Sequence, residues 1–234
     1  MKFFFEKLLR FIGYNFNYYR IQFDDPRSRF NREQREKSYH HFKKFFKTCY
    51  LNSDKNIRNF AVKRVLENKI KEHDLFLEFG VYKGNSINQL ADILKSKKLN
   101  IFGFDSFQGI DNWEGTNKTK GHYSTNGKLP KVRSNVKLIV GDIFETLPIF
   151  LEENSNKKIK FVHIDTDTYL VGKFILENIK NYLDKNAVIV FDELHNFSAW
   201  EDGEYKALQE VFDVNQYDYL AFGTKTNACI KLNL

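Results

Sequence analysis

From about position 74 onward the chain alternates between two hydrophobic rhythms. Short, nearly continuous apolar runs occur at 75–80 (LFLEFG), 100–107 (NIFGFDSF), 136–142 (VKLIVGD), 159–167 (IKFVHIDTD) and 187–193 (AVIVFDE). Runs of that length, rich in branched and aromatic residues, read as strands buried on both faces. Between the first two, Ile87, Leu90, Ala91 and Leu94 fall at i, i+3, i+4 and i+7, which is one buried helical face. The same spacing recurs in KFILENIKNYL (173–183) and EYKALQEVF (204–212). Two last runs, YLAFG (219–223) and NACIKL (227–232), are joined by only three residues. A link so short forces a hairpin, so the last strand runs antiparallel in an otherwise parallel sheet. The pattern predicts an α/β domain with a seven-stranded, mostly parallel sheet covered on both faces.

Before residue 73 no run reads as a strand, and the Arg, Lys and Phe periodicity looks helical. A chain of 234 residues has room for one α/β domain and a modest extension. The expected division is a helical extension over 1–72 and a catalytic domain over 73–234. The opening stretch, MKFFFEKLLRFIGYNFNYYRI, is aromatic and apolar, but Glu6, Lys7 and Arg10 interrupt it. It therefore reads as a short amphipathic helix rather than a signal peptide or a membrane span. Its expected place is against its own domain or a second subunit, making a homo-oligomer, with peripheral membrane contact as the secondary expectation.

Charge adds an asymmetry. The formal net charge is +7, and the basic surplus is concentrated before Glu72, in segments such as NREQREKSYHHFKKFFK. Such an arm either meets something anionic or is a solvated helix face. No nucleic-acid partner is expected. Cys49 and Cys229 form no spaced cluster, so neither a disulfide framework nor a zinc site is indicated, and a reducing, cytoplasmic setting is expected. Residues 108–135 carry four glycines, a proline and a tryptophan without sustained periodicity. A loop that long in a compact domain is usually functional, and its place after the second strand makes it a lid or substrate loop.

Acids stand at the carboxyl ends of five successive predicted strands: Glu78, Asp105, Asp142, Asp165, then Asp192 with Glu193. Those ends share one crevice in an open parallel sheet, and that crevice is where ligands bind. A single acid there is readily a helix cap, and Asp142 reads that way by itself. Gathering so many like charges needs cations or hydrogen-bond donors to meet them. The first acid opens LEFGVYKGNSI, where Gly80 and Gly84 allow a tight turn. Tyr82 stands where a dinucleotide fingerprint would carry its second glycine, which argues against a conventional NAD enzyme. Asp165, Thr166 and Asp167, read alone, also suit a glycosyltransferase that clamps a metal and a sugar-nucleotide diphosphate.

The ordered set EFGVYKGNS, FDSFQGI followed by Trp113, GDIFETLP, HIDTDTY and FDEL resembles the class I S-adenosylmethionine-dependent methyltransferases. Within them it is similar to the macrocin O-methyltransferase family, which methylates sugar hydroxyls. The likeness spans about 75–207 and omits the first seventy residues. It implies a Rossmann-like fold, S-adenosylmethionine as cofactor and a sugar or glycoside as substrate. It also implies a cofactor site at Glu78, Gly80, Gly84, Ser86, Asp105 with Ser106, Asp142, Ile143 and Asp165. Mg2+ or another divalent cation would be held by Asp165, Asp192 and Glu193. Asn85 and Glu193 depart from the family's usual glycine and aspartate at those places.

The chemistry suits these positions. A hydroxyl attacking a methyl group must lose its proton, and a hard cation held by carboxylates lowers the barrier to that loss. Asp165 is the first choice of base, with His122 and His195 as alternatives. Other residues carry plainer readings: His163 in the core, Asp167 as a helix cap, Tyr169 as packing, and Glu204 and Lys206 as ordinary charges opening a helix. Trp113, Trp200 and Tyr123 are candidates to stack on a sugar or on adenine.

Overall fold

The computed structural model describes residues 4, 7, 8, 10–13, 25–110 and 118–234. Most of the expected N-terminal amphipathic helix, and Trp113 with its neighbours at 111–117, lie outside the described residues. The elements in order are α1 (Pro26–Phe42), β1 (Tyr50–Asn52), α2 (Asp54–Leu66), β2 (Leu75–Phe79), α3 (Asn85–Lys95), β3 (Ile101–Asp105), β4 (Val136–Val140) and α4 (Ile143–Glu153). There follow β5 (Ile159–Ile164), α5 (Tyr169–Ile179), β6 (Leu183–Phe191), α6 (Glu204–Val211), β7 (Tyr217–Gly223) and β8 (Ala228–Leu232).

The strands form one sheet in the order β1-β7-β8-β6-β5-β2-β3-β4. Every pairing is parallel except β6 with β8 and β7 with β8. All seven predicted strands are present, and β8 is antiparallel to both neighbours as the three-residue link requires. The reading of the N-terminal third as strand-free is corrected: β1 adds an eighth strand at the β7 edge, with Tyr50 opposite Ala221. It has only three residues, two of them exposed, so it leaves no alternation to read. Helix α4 was also unsignalled, because Pro148 lies in its interior, where proline forfeits a backbone bond.

Strand periodicity sorts the core into two layers. Leu75, Leu77 and Phe79 of β2 face α4, α5 and α6, along with Leu147, Ile175 and Leu208. Phe76, Phe161 and Val190 face the opposite way, onto Ile57 and Ala61 of α2 and Leu90 and Leu94 of α3. Helix α1 docks through the fully buried Phe42, whose ring lies 5.4–5.7 Å from those of Trp200, Tyr205, Tyr219 and Phe222. Trp200 is thus a packing residue.

The chain runs β2, β3, β4 toward one edge, then returns to β5 and β6 on the other side of β2. The order therefore reverses between β2 and β5, and the ends of those two strands open a crevice. Phe42→Ala, which empties the aromatic dock of α1, should cost about 3–5 kcal/mol. Chemical denaturation, with the midpoint falling at constant slope, measures it.

Candidate active site

The crevice is a cleft of about 490 Å³, a size usual for small-molecule sites. Its walls come from the segments that follow β2, β3, β4, β5 and β6. Gly80 begins the turn after β2 with φ +88, and a Cβ there would sit 1.8 Å from the carbonyl oxygen of Asp165. Only glycine permits the two strand ends to approach so closely. Asp105 binds this turn down: one carboxylate oxygen accepts from the amides of Val81 (2.8 Å) and Tyr82 (2.7 Å), the other from Phe107 (2.6 Å).

Of the expected cofactor residues, Gly80, Asp105, Ser106, Asp142, Ile143 and Asp165 line the cleft. Asp142 is also the N-cap of α4, accepting from the Phe144 amide at 2.9 Å. Three lie behind it. Gly84 is the N-cap of α3 at φ +79, while Glu78 is fully buried and accepts from the Ser86 hydroxyl at 2.9 Å.

Glu78 belongs to a buried row of charge that sequence reasoning missed. It is the parallel cross-strand neighbour of His163, whose Nδ1 donates to Oε2 of Glu78 at 3.1 Å. The other ring nitrogen lies 3.6 Å from Oδ1 of Asp192, which also accepts from Arg58 of α2 at 3.2 Å. Strand alternation puts all of these on the α2 and α3 side of the sheet. Burial works against an imidazolium here, but Asp192, Glu78 and Asp165 outweigh it and push His163 up to about 10. His163 is in the core as expected, and the structure adds the ionic partners that the sequence did not show. A charged residue on the inward face of two adjacent apolar strands was the available signal. Arg58 gave none, since it is one of many basic residues before position 72.

The expected metal residues Asp165, Asp192 and Glu193 all line the cleft. Asp167 joins them, and its reading as a helix cap is corrected. Thr168 takes the cap position of α5, while Asp167 adopts φ +63, is buried, and lies 3.6 Å from the ammonium of Lys118. The left-handed turn aims the second aspartate back at the first. Carboxylate oxygens of Asp165, Asp167 and Glu193 lie within 4.8 Å of one another. Burial, then repulsion from Asp192, raises Asp165 and Glu193 well above ordinary carboxylates. Asp167 is also raised by burial, against the pull of Lys118. Asp192 differs: burial would raise it, but His163 and Arg58 hold it below the usual range. Glu204, read as an ordinary first-turn charge, is buried, accepts from the Glu193 amide at 3.0 Å and is raised by burial.

Of the described residues of the 108–135 segment, Gly109, Ile110 and Tyr123 form part of the cleft wall. Lys118 donates to the Tyr123 hydroxyl, and the rings of Tyr123 and Tyr82 meet edge to face at 5.4 Å. Arg133 fastens the far end of the loop to Asp92 of α3 at 2.7 Å. His122 is exposed on this loop, its ring 4.3 Å from that of Tyr123. His195 is buried away from the lining, with Nε2 at 3.1 Å from the Asn227 carbonyl. Burial lowers it to about 4, so it is a neutral packing histidine beside Phe42 and Phe222.

A family model described as a methyltransferase domain matches residues 77–194, half of the chain. The chain belongs to that family, and is a class I S-adenosylmethionine-dependent methyltransferase. The fold agrees. A crystal structure of CalS11, a calicheamicin methyltransferase, aligns at 23% identity over 76% of this chain and 78% of that one, with a TM-score of 0.63. The apo structure of CalS11, described as a TDP-rhamnose 3'-O-methyltransferase, aligns at 25% identity over the same shares with a TM-score of 0.57. The O-methyltransferase NovP aligns at 17% identity, again over 76% and 78%, with a TM-score of 0.56. No curated protein matches this sequence. The family match sets aside the glycosyltransferase reading of Asp165, Thr166 and Asp167.

His163→Leu should cost about 3–5 kcal/mol near neutral pH, because it leaves Glu78 buried without its charged partner and Asp192 with Arg58 alone. A histidine raised to about 10 when folded stabilises fully below its unfolded value of roughly 6.5. That contribution is lost as pH rises through the folded value. The stability gap between wild type and His163→Leu should therefore narrow from pH 7 toward 10, measured by denaturant titration at each pH.

Proposed function

We propose that the protein transfers the methyl group of S-adenosylmethionine to a hydroxyl of a sugar or glycosylated small molecule, assisted by a divalent cation. The observation that carries this reading is the meeting of the Gly80 turn with the Asp165, Asp167 and Glu193 trio in one cleft. The sugar follows from the printed substrate of CalS11, a TDP-rhamnose 3'-O-methyltransferase.

The donor set fits a hard cation. Three oxygen donors lie close together, one oxygen of Glu193 is buried without a hydrogen-bond partner, and burial and mutual repulsion disfavour the charged trio unless a cation meets it. Asp165, Asp167 and Glu193 would hold the ion, with Asp192 beside them. When bound, it supplies Lewis acidity that lowers the pKa of the acceptor hydroxyl and orients it.

This chain's own residues supply the rest. The Gly80 turn, fixed by Asp105, and the Asp142 to Ile143 helix start bracket the cofactor, which presents a sulfonium-activated methyl group. With the sulfonium bound, its methyl carbon would be the electrophile: the acceptor oxygen would form the C–O bond as the C–S bond breaks and the thioether leaves, and the hydroxyl proton would pass to a carboxylate of the cleft. Asp165 and Asp167, both raised by burial, suit that role better than the lowered Asp192. His163 and Arg58 hold Asp192 in place. Tyr82, Tyr123 and Ile110 form a wall suited to a sugar face and to excluding water.

A thermal-shift panel tests the reading. S-adenosylhomocysteine should raise the Tm, with a further rise on adding magnesium, and UDP-sugar should not. Stabilisation by UDP-sugar alone would sink the proposal. Asp105→Ala, which frees the Gly80 turn, should weaken S-adenosylhomocysteine at least about tenfold by calorimetry, as loss of charge-assisted bonds of roughly 1.5–3 kcal/mol implies. Glu193→Gln should keep that affinity and lose the magnesium effect together with methyl transfer.

A further inference from the structure

The formal charge is gathered at one end of the chain. Residues 1–50 hold 12 Lys and Arg against 5 Asp and Glu, a surplus equal to the +7 of the whole protein, so residues 51–234 are formally neutral. In α1 Arg27, Arg29, Arg32 and Arg35 are exposed against Glu33 and Glu36, Lys37 pairs with Glu201, and Lys43, Lys44 and Lys47 are exposed just beyond the helix. Upstream, the described residues Phe4, Lys7, Leu8 and 10–13 are helical. Phe4, Leu8, Phe11 and Ile12 are 75%, 42%, 66% and 53% exposed. Their spacing of i, i+4, i+7 and i+8 puts them on one helix face, with Lys7 at its border and Arg10 beyond.

An exposed face of two phenylalanines and two branched aliphatics marks an interaction surface. Its charge selects the occupant. A second copy of the chain would bring the same cationic arm against itself, whereas an anionic lipid surface meets both the apolar face and the basic surplus. We propose that the N-terminal helix and α1 dock the protein on an anionic lipid surface. Phe4, Leu8, Phe11 and Ile12 enter the headgroup boundary, and the cations of α1 lie over the phosphates. Among the described residues no helix is long and apolar enough to cross a membrane, so this contact lies in the interface. None of these residues lines the cleft, and the inference does not depend on the identity of the methyl acceptor.

The test is co-sedimentation of the full-length protein with vesicles of phosphatidylcholine, with and without phosphatidylglycerol. At low salt at least about tenfold more protein should be captured by the anionic vesicles, and raised salt should reduce that excess. The double variant Leu8→Asp with Phe11→Asp should fall to the phosphatidylcholine level while keeping wild-type affinity for S-adenosylhomocysteine, which shows that the domain is folded. Arg29→Glu with Arg35→Glu should fall likewise. Equal capture on both vesicle types overturns the proposal, as does full capture of the Asp variant on anionic vesicles. A concentration-dependent dimer that the Asp variant dissolves, seen by analytical ultracentrifugation, also overturns it by giving the face to a second copy.

Discussion

The site is organised by the repulsion among carboxylates gathered where β2, β5 and β6 end. Asp165, Asp167, Asp192, Glu193 and Glu204 share a region with little water to screen them. An arrangement like this is unfavourable unless cations answer it. The protein supplies three of its own, His163, Arg58 and Lys118, from a strand, a helix and a loop. They neutralise one side of the cluster, satisfying Asp192 and steadying Asp167. Asp165 and Glu193 remain raised, so the cleft keeps an unanswered demand for positive charge.

Alternation along the strands divides the labour. Inward positions on the α2 and α3 side carry Glu78, His163 and Asp192 in a row ending at Arg58, so the acid at the cleft is wired through the core to Ser86 at the start of α3. That row ties the glycine turn after β2 to the carboxylates at the ends of β5 and β6. On the other side of the sheet Glu193 rests on Glu204 of α6. A one-residue shift in either β5 or β6 would exchange these roles, which is why the register of buried parallel strands matters to the chemistry as much as to packing.

The first fifty residues are tied to the domain by a different physics. Phe42 holds α1 by aromatic packing, while the cations of that helix point outward and leave the catalytic half formally neutral. The basic surplus and the acid-lined cleft thus occupy separate surfaces of one chain.

The sequence by itself determined the alternation of strand and helix, the antiparallel end, the glycine turn and the presence of acids at the strand ends. These are encoded locally, by period, by turn residues and by the length of a link. It also carried the family through the ordered motifs from Glu78 to Glu193. The partners of those acids were decided only in three dimensions. Asp167 looked like a cap until its left-handed backbone turned it toward Asp165, and the partner of the core residue His163 emerged only when register set it beside Glu78. Arg58 and Lys118 come from segments far from the strand ends in sequence, and no local period announces contacts across such separations. Charge meets charge there because the sheet's order, with β5 beside β2 and α2 laid across β6, brings distant residues together after the chain has folded.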